Sequence, residues 1–124
     1  DEPKFRFSIR QTMMPNVNAF YYMRLHGRNA AQWWEHERSE DRYNYLYSEA
    51  ELRPFAKAIS TARALVKKQY AYLNNHFAAQ AIADAAVLRH LLDEPVEAPV
   101  PAELVARYPM LRDKVTTSPS SRLL

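Results

Sequence analysis

No cysteine occurs among the 124 residues, so a disulfide scaffold, a Cys-ligated zinc centre and thiol chemistry are excluded. Gly27 is the one glycine in the chain, which leaves no material for a glycine-rich phosphate loop. It marks a position where the backbone needs φ > 0 or a close approach. No apolar run approaches the ~20 residues that cross a bilayer. The opening Asp1-Glu2-Pro3-Lys4 lacks the pattern of a signal peptide, so the expectation is a cytoplasmic chain with no membrane partner. There is no Asn-x-Ser/Thr acceptor and no Gly-x-Ser-x-Gly, so no serine nucleophile is assigned. Asp1, Glu2, His26 and His76 include suitable metal ligands, but without a close-spaced motif such as His-Glu-x-x-His no metal site is assigned and the cofactor is left open.

What is present is a chain 48% hydrophobic, too apolar for a disordered protein, with the length of one domain. A formal charge of +3 is too small to argue for nucleic acid. The charge is uneven, however. No acidic residue falls between Glu51 and Asp84, whereas Arg53, Lys57, Arg63, Lys67 and Lys68 are basic. A helix there carries a basic outer face, but it lacks interleaved aromatics and any reading motif. A nucleic-acid module over 53–68 is therefore the alternative reading, not the first.

Phe20 to Leu25 reads as a buried strand ending in the polar turn His26-Gly27-Arg28-Asn29. Residues 30–44 read as a long loop with a short helix. Ser48-Glu49-Ala50-Glu51 is a capping box. Leu52, Phe55, Ala56, Ile59, Ala62 and Val66 follow at helical spacing, predicting about five turns with an irregular start at Pro54. Gln69 to Leu73 is a second strand, ending in Asn74-Asn75-His76. A helix from about Ala78 to Leu92 follows, with Ala81, Ile82, Ala85, Leu88 and Leu92 expected on its buried face. Pro95 to Pro101 reads as extended, Pro101 opens a last short helix, and residues 112–124 read as a frayed tail.

Strand, helix, strand, helix implies parallel pairing. Two parallel strands alone leave both edges open, and Asp1-Glu2-Pro3 reads as the end of a further strand. The fold class is therefore α/β, the C-terminal portion of a larger α/β barrel, which needs its missing part or a partner chain.

Several short motifs recur together: Asp1-Glu2-Pro3; Met23-Arg24-Leu25-His26-Gly27-Arg28-Asn29 with Trp33; Tyr43-Asn44-Tyr45-Leu46-Tyr47-Ser48; and Tyr70-Ala71-Tyr72-Leu73-Asn74-Asn75-His76 before Gln80-Ala81-Ile82-Ala83-Asp84-Ala85. In this order the chain resembles the C-terminal half of the DUF72 (YecE-like) family, from Asp1 to about Leu111. The resemblance implies a TIM-type barrel of unassigned activity whose early strands are absent here. Leu73 stands where the family usually has Phe, and Ala79 where it usually has Gly.

In such a barrel the strand C-termini form the ligand-binding mouth. Three polar clusters fall there, and they suit an anionic or polyhydroxylated small molecule. Asp1 or Glu2 is the expected general base, Glu2 being the one assigned, and His26 the general acid. Arg28 offers a fork for phosphate or carboxylate. Asp1, Asn29, Asn74 and Asn75 offer donors and acceptors, and Tyr45, one of an aromatic group with Trp33, Trp34, Tyr43 and Tyr47, offers a ring and a hydroxyl. Tyr43, Tyr45 and Tyr47 are expected to share one face of an extended segment. The remaining alternative is a structural half-barrel without catalysis.

Overall fold

The computed structural model describes residues 1–6 and 20–118. Strand β1 (Phe20–Leu25) pairs in parallel with β2 (Lys68–Leu73), from Phe20 opposite Lys68 to Leu25 opposite Leu73. Helix α1 (Glu49–Ala62) connects them, and α2 (Gln80–Leu91) follows β2. A two-residue bridge joins β3 (Val100–Pro101) to β4 (Thr117–Ser118), with the short α3 (Ala102–Arg107) between them. The architecture is thus mixed α/β with parallel strands. The described strands form two-stranded sheets and do not themselves close a barrel.

Alternation decides which way β1 faces. Tyr21, Met23 and Leu25 are buried, joining Leu52, Phe55 and Ile59 of α1 and Ala83, Ala86 and Val87 of α2 in one core with Val105 and Leu111. Each large aliphatic side chain fully removed from water there stabilises the fold by ~1.5–3 kcal/mol. The opposite face is aromatic and open: Phe20, Tyr22, Tyr70 and Tyr72 are each 41–50% exposed. Asp1 lies alongside β1. Its main-chain nitrogen donates to the Arg24 carbonyl and its carbonyl accepts from the His26 N–H at 2.9 Å, the hydrogen-bond pattern of a parallel bridge between Asp1 and Leu25.

Helix α1 begins where the capping box places it. Ser48 Oγ accepts from Glu51 N at 3.1 Å, and Glu51 Oε1 accepts from Ser48 N at 3.0 Å. The expected irregular start is not found: Pro54 sits inside a continuous helix, on its exposed side. The helix also ends at Ala62, short of Val66.

The buried face of α2 differs from the expected one. Ala83, Asp84, Ala86, Val87 and Leu88 are buried, while Ile82 is 59% exposed. The helix is rotated so that Asp84 reaches buried polar partners, an attraction that an apolar count does not register. Nor do the three tyrosines share a face. Tyr43 ends a 3-10 turn (Ser39–Tyr43), whereas the Tyr45 and Tyr47 rings meet edge to face at 5.2 Å. Residues 112–118 are not a free tail, since Val115 N bonds Leu111 O and Thr117–Ser118 pair with β3. The remainder of that expected tail, 119–124, lies outside the described residues.

Ala78 and Ala79 both adopt left-handed backbone, at φ 52° and φ 62°, in the turn into α2. A side chain costs ~1–2 kcal/mol per residue in that region. Replacing Ala79 with glycine is therefore expected to raise the unfolding free energy of the full-length protein by ~0.5–1 kcal/mol after glycine's own entropic cost. Denaturant unfolding checks this; a loss of stability would contradict it.

Candidate functional site

The turns leaving β1 and β2 meet because the register ends level: Asn74 N donates to Leu25 O at 2.7 Å. Most of the predicted site residues converge there, in two distinct environments.

The inner one is a closed polar network. Arg28 Nε donates to Asp1 Oδ2 at 2.6 Å and its Nη1 to Glu51 Oε2 at 3.0 Å. Tyr45 OH donates to the same Glu51 oxygen at 2.6 Å. Tyr47 OH donates to Asp1 Oδ2 at 3.2 Å and accepts from Gly27 N at 2.8 Å. The Asp1 side chain is 1% exposed and the Arg28 side chain 35%. Two carboxylates thus surround one guanidinium, whose positive charge is spent inside the protein. Burial raises the Tyr45 hydroxyl to about 12, reinforced by its hydrogen bond to Glu51 and that carboxylate's charge. Burial also pushes Glu51 up, but the hydrogen bonds from Ser48 and Tyr45 and the charge of Arg28 outweigh it and hold the carboxyl below its ordinary value.

Asn75 continues the network inward. It is fully buried, and its Nδ2 donates to Tyr45 O at 2.8 Å and to Asp84 Oδ2 at 2.6 Å. Asn29 is likewise committed. Its Oδ1 accepts from Gln32 N, capping the turn Ala30–Gln32, and its Nδ2 donates to Gln32 Oε1, Asp41 O and Asn44 O. These contacts clasp the 30–44 loop.

The outer environment is a partly open wall of rings. Half-buried His26 lies 6.4 Å from Trp33 edge to face and 6.0 Å from Tyr43, and Tyr43 lies 5.9 Å from His76. Asn74 Nδ2 stands 3.1 Å from His26 Nδ1. As donor, the amide makes Nδ1 the acceptor and leaves the ring proton on Nε2. Burial, and secondarily Arg24, lowers the pKa of His26, with Glu2 opposing, so the ring is neutral near pH 7. Glu2, half-buried, makes no hydrogen bond or ion pair among the described residues. Trp34 is 70% exposed and stands apart from this wall, against Phe5.

Sequence reasoning missed three members of the inner network. Glu51 read only as a cap, although a capping carboxylate retains a second oxygen for other donors. Tyr47 read only as a member of the aromatic group, with no role for its hydroxyl. Asp84 read as part of a motif, although a lone acid among alanines on an apolar helix face is itself a signal. Among the described residues no group of three His, Asp or Glu is placed to hold a metal ion, and no helix is long and apolar enough to cross a membrane. On the basic helix face, Arg53 pairs with Glu49 at 3.5 Å and Arg63 with Glu94 at 2.6 Å, which cancels part of its charge.

Comparison with known proteins agrees with the strand-end motifs. Residues 2–107 match the family described as Protein of unknown function DUF72. A DUF72 family protein from Thermotoga maritima MSB8 superposes with a TM-score of 0.69 at 35% identity, over 76% of this chain and 35% of that one. A DUF72 family protein from Enterococcus faecalis V583 shares the fold with a TM-score of 0.56 at 23% identity, over 64% of this chain and 30% of that one. The chain therefore spans about a third of the length of these relatives. No curated protein matches it. The chain belongs to the DUF72 family.

Proposed function

We propose that this chain is part of a larger TIM-type (β/α) barrel, and that it contributes one side of a pocket for a neutral, polyhydroxylated small molecule at the strand ends. The observation that carries the reading is the outer wall: a neutral His26 whose Nε2–H is free to donate, the Asn74 amide beside it, and the rings of Trp33, Tyr43 and His76. Ring faces suit the C–H surface of a sugar, and the amide and imidazole suit its hydroxyls. An anionic ligand is the weaker choice, since Arg28 already faces the carboxylates of Asp1 and Glu51. Glu2, whose charge is felt at His26, is the carboxylate assigned to any acid–base chemistry in the pocket. Asp1, Arg28, Asn29, Asn75 and Tyr45 shape the pocket from behind rather than touch the ligand.

The larger barrel is supported by the Asp1 bridge to β1, by the open aromatic face of the sheet, and by relatives about twice as long. A groove of about 280 Å³ beside β2, lined by Ile59, Gln69, Tyr70, Leu73, Leu88 and Leu92, is the place for a neighbouring element rather than the ligand, because it contains none of the polar strand-end residues.

Ligand-detected NMR on the full-length protein, with neutral monosaccharides and inorganic phosphate as probes, tests the pocket. The expected result is saturable sugar binding that weakens at least tenfold, or ~1.4 kcal/mol, in His26→Ala and in Asn74→Ala. Phosphate binding that disappears in Arg28→Ala, with no sugar binding, would contradict it.

A further inference from the structure

Asn75 and Asp84 are both fully buried and are joined by one hydrogen bond, Asn75 Nδ2 to Asp84 Oδ2 at 2.6 Å. The second donation of Asn75, to Tyr45 O, fixes the orientation of the amide, because a flipped group would set its oxygen against both a carbonyl and a carboxylate. That orientation leaves Asn75 Oδ1 and Asp84 Oδ1 buried, each without a partner. Both atoms accept and neither donates, so nothing within the pair satisfies them. An unmade hydrogen bond at a buried acceptor is costly.

We propose that Asp84 and Asn75 form a carboxylic acid–carboxamide pair that binds one proton within the fold, with the hydrogen on Asp84 Oδ1 directed to Asn75 Oδ1. One proton then satisfies both orphaned acceptors and removes a buried charge that lacks a counter-ion. Among the described residues no Lys, Arg or His nitrogen pairs with Asp84. The charged and titratable groups facing it are Glu51 on α1 and the hydroxyls of Tyr45 and Tyr47, none of them a cation. Lys114, which lines a hollow with Tyr47 and Val87, donates instead to Met110 O and Asp113. Burial, with a smaller push from Glu51, raises the carboxyl to about 6 against the hydrogen bonds from Tyr47 N and Asn75.

The pair sits between the turn after β2 and the Tyr45–Tyr47 segment. Asp84 Oδ2 also accepts from Tyr47 N at 3.1 Å, and the Tyr47 hydroxyl holds Gly27. The proton is thus bound at the joint that sets the strand-end turns relative to one another. This holds whether or not the pocket takes a sugar.

The test is a 13C-NMR titration of the Asp84 carboxyl in full-length protein, together with pH-dependent unfolding of wild type and Asp84→Asn. The folded carboxyl has the raised pKa, so its contribution to stability grows as pH falls through about 6 and is complete below the ordinary 3.8. The expected titration midpoint is about 6. From pH 7.5 to pH 5 the unfolding equilibrium constant of wild type should fall about tenfold relative to the variant. The substituted amide supplies the missing donor at every pH, so the variant should be at least as stable as wild type at pH 7.5. A carboxyl that stays ionised down to pH 5 would overturn the proposal, as would a variant with the wild-type pH slope. If the variant does not fold, the wild-type titration alone decides.

Discussion

Replacing Gly27 with alanine is expected to lower the unfolding free energy of the full-length protein by ~2–4 kcal/mol. The residue holds φ 91°, and a Cβ built there lies 2.7 Å from Tyr45 Cβ and 3.7 Å from Asn75 Cβ. The first contact is closer than side-chain carbons ever pack, and Tyr45 has little room to yield. Its hydroxyl is held by Glu51 and its carbonyl by Asn75. Backbone strain and overpacking therefore add. Moving the turn would also pull Gly27 N from the Tyr47 hydroxyl that it reaches at 2.8 Å. Denaturant unfolding measures the loss, and a change below ~1 kcal/mol would show that the turn relaxes freely.

The second large effect is expected at Asn75. Truncation to alanine leaves the Tyr45 carbonyl without its side-chain donor and Asp84 with Tyr47 N as its remaining partner among the described residues. Each buried polar group so abandoned costs ~1–3 kcal/mol, giving a loss of ~2–4 kcal/mol for the variant. The loss should vary between pH 5 and pH 7.5, because protonation of Asp84 adds a second hydrogen bond to Asn75 that the variant cannot make. The same unfolding measurement at the two pH values checks both statements. A loss that does not vary with pH would separate Asn75 from the ionisation of Asp84.

Both effects arise in a network that the sequence disclosed only in part. The capping box at Ser48 and Glu51 was legible because its spacing is set by local backbone geometry, and the core face of α1 was legible because the periodicity is clean. The strand-end clusters were legible as polar breaks after aromatic runs. What each polar residue does there was not legible. Arg28 reads as an anion fork until Asp1 and Glu51 are found on it, and Asn29 reads as a ligand group until three loop partners claim it. Those partners lie up to 27 positions away and are brought close by chain reversal, which no local pattern encodes. The rotation of α2 failed to show for a related reason. Its apolar residues are mostly alanines, whose small surface gives a weak directional signal, so one buried acid decides which side turns inward.

The division of labour follows from the charges. Arg28 with Asp1 and Glu51 is an anionic cluster with its hydrogen bonds made, suited to holding three chain segments together. His26 and Asn74, backed by rings, retain a donor and open space. A variant that strips the first set should lose stability before it loses binding, and a variant of the second set the reverse.

Hydrogen exchange along β2 in the full-length protein tests the central claim, that this sheet is continued by further strands of the same chain, most directly. Asn74 N points to β1, and strand alternation then turns the amides of Gln69, Ala71 and Leu73 away from it, where no main-chain acceptor meets them among the described residues. A (β/α) barrel predicts that these three amides exchange as slowly as their neighbours that bond β1. Exchange at the rate of an open strand edge, alternating residue by residue along β2, would contradict it.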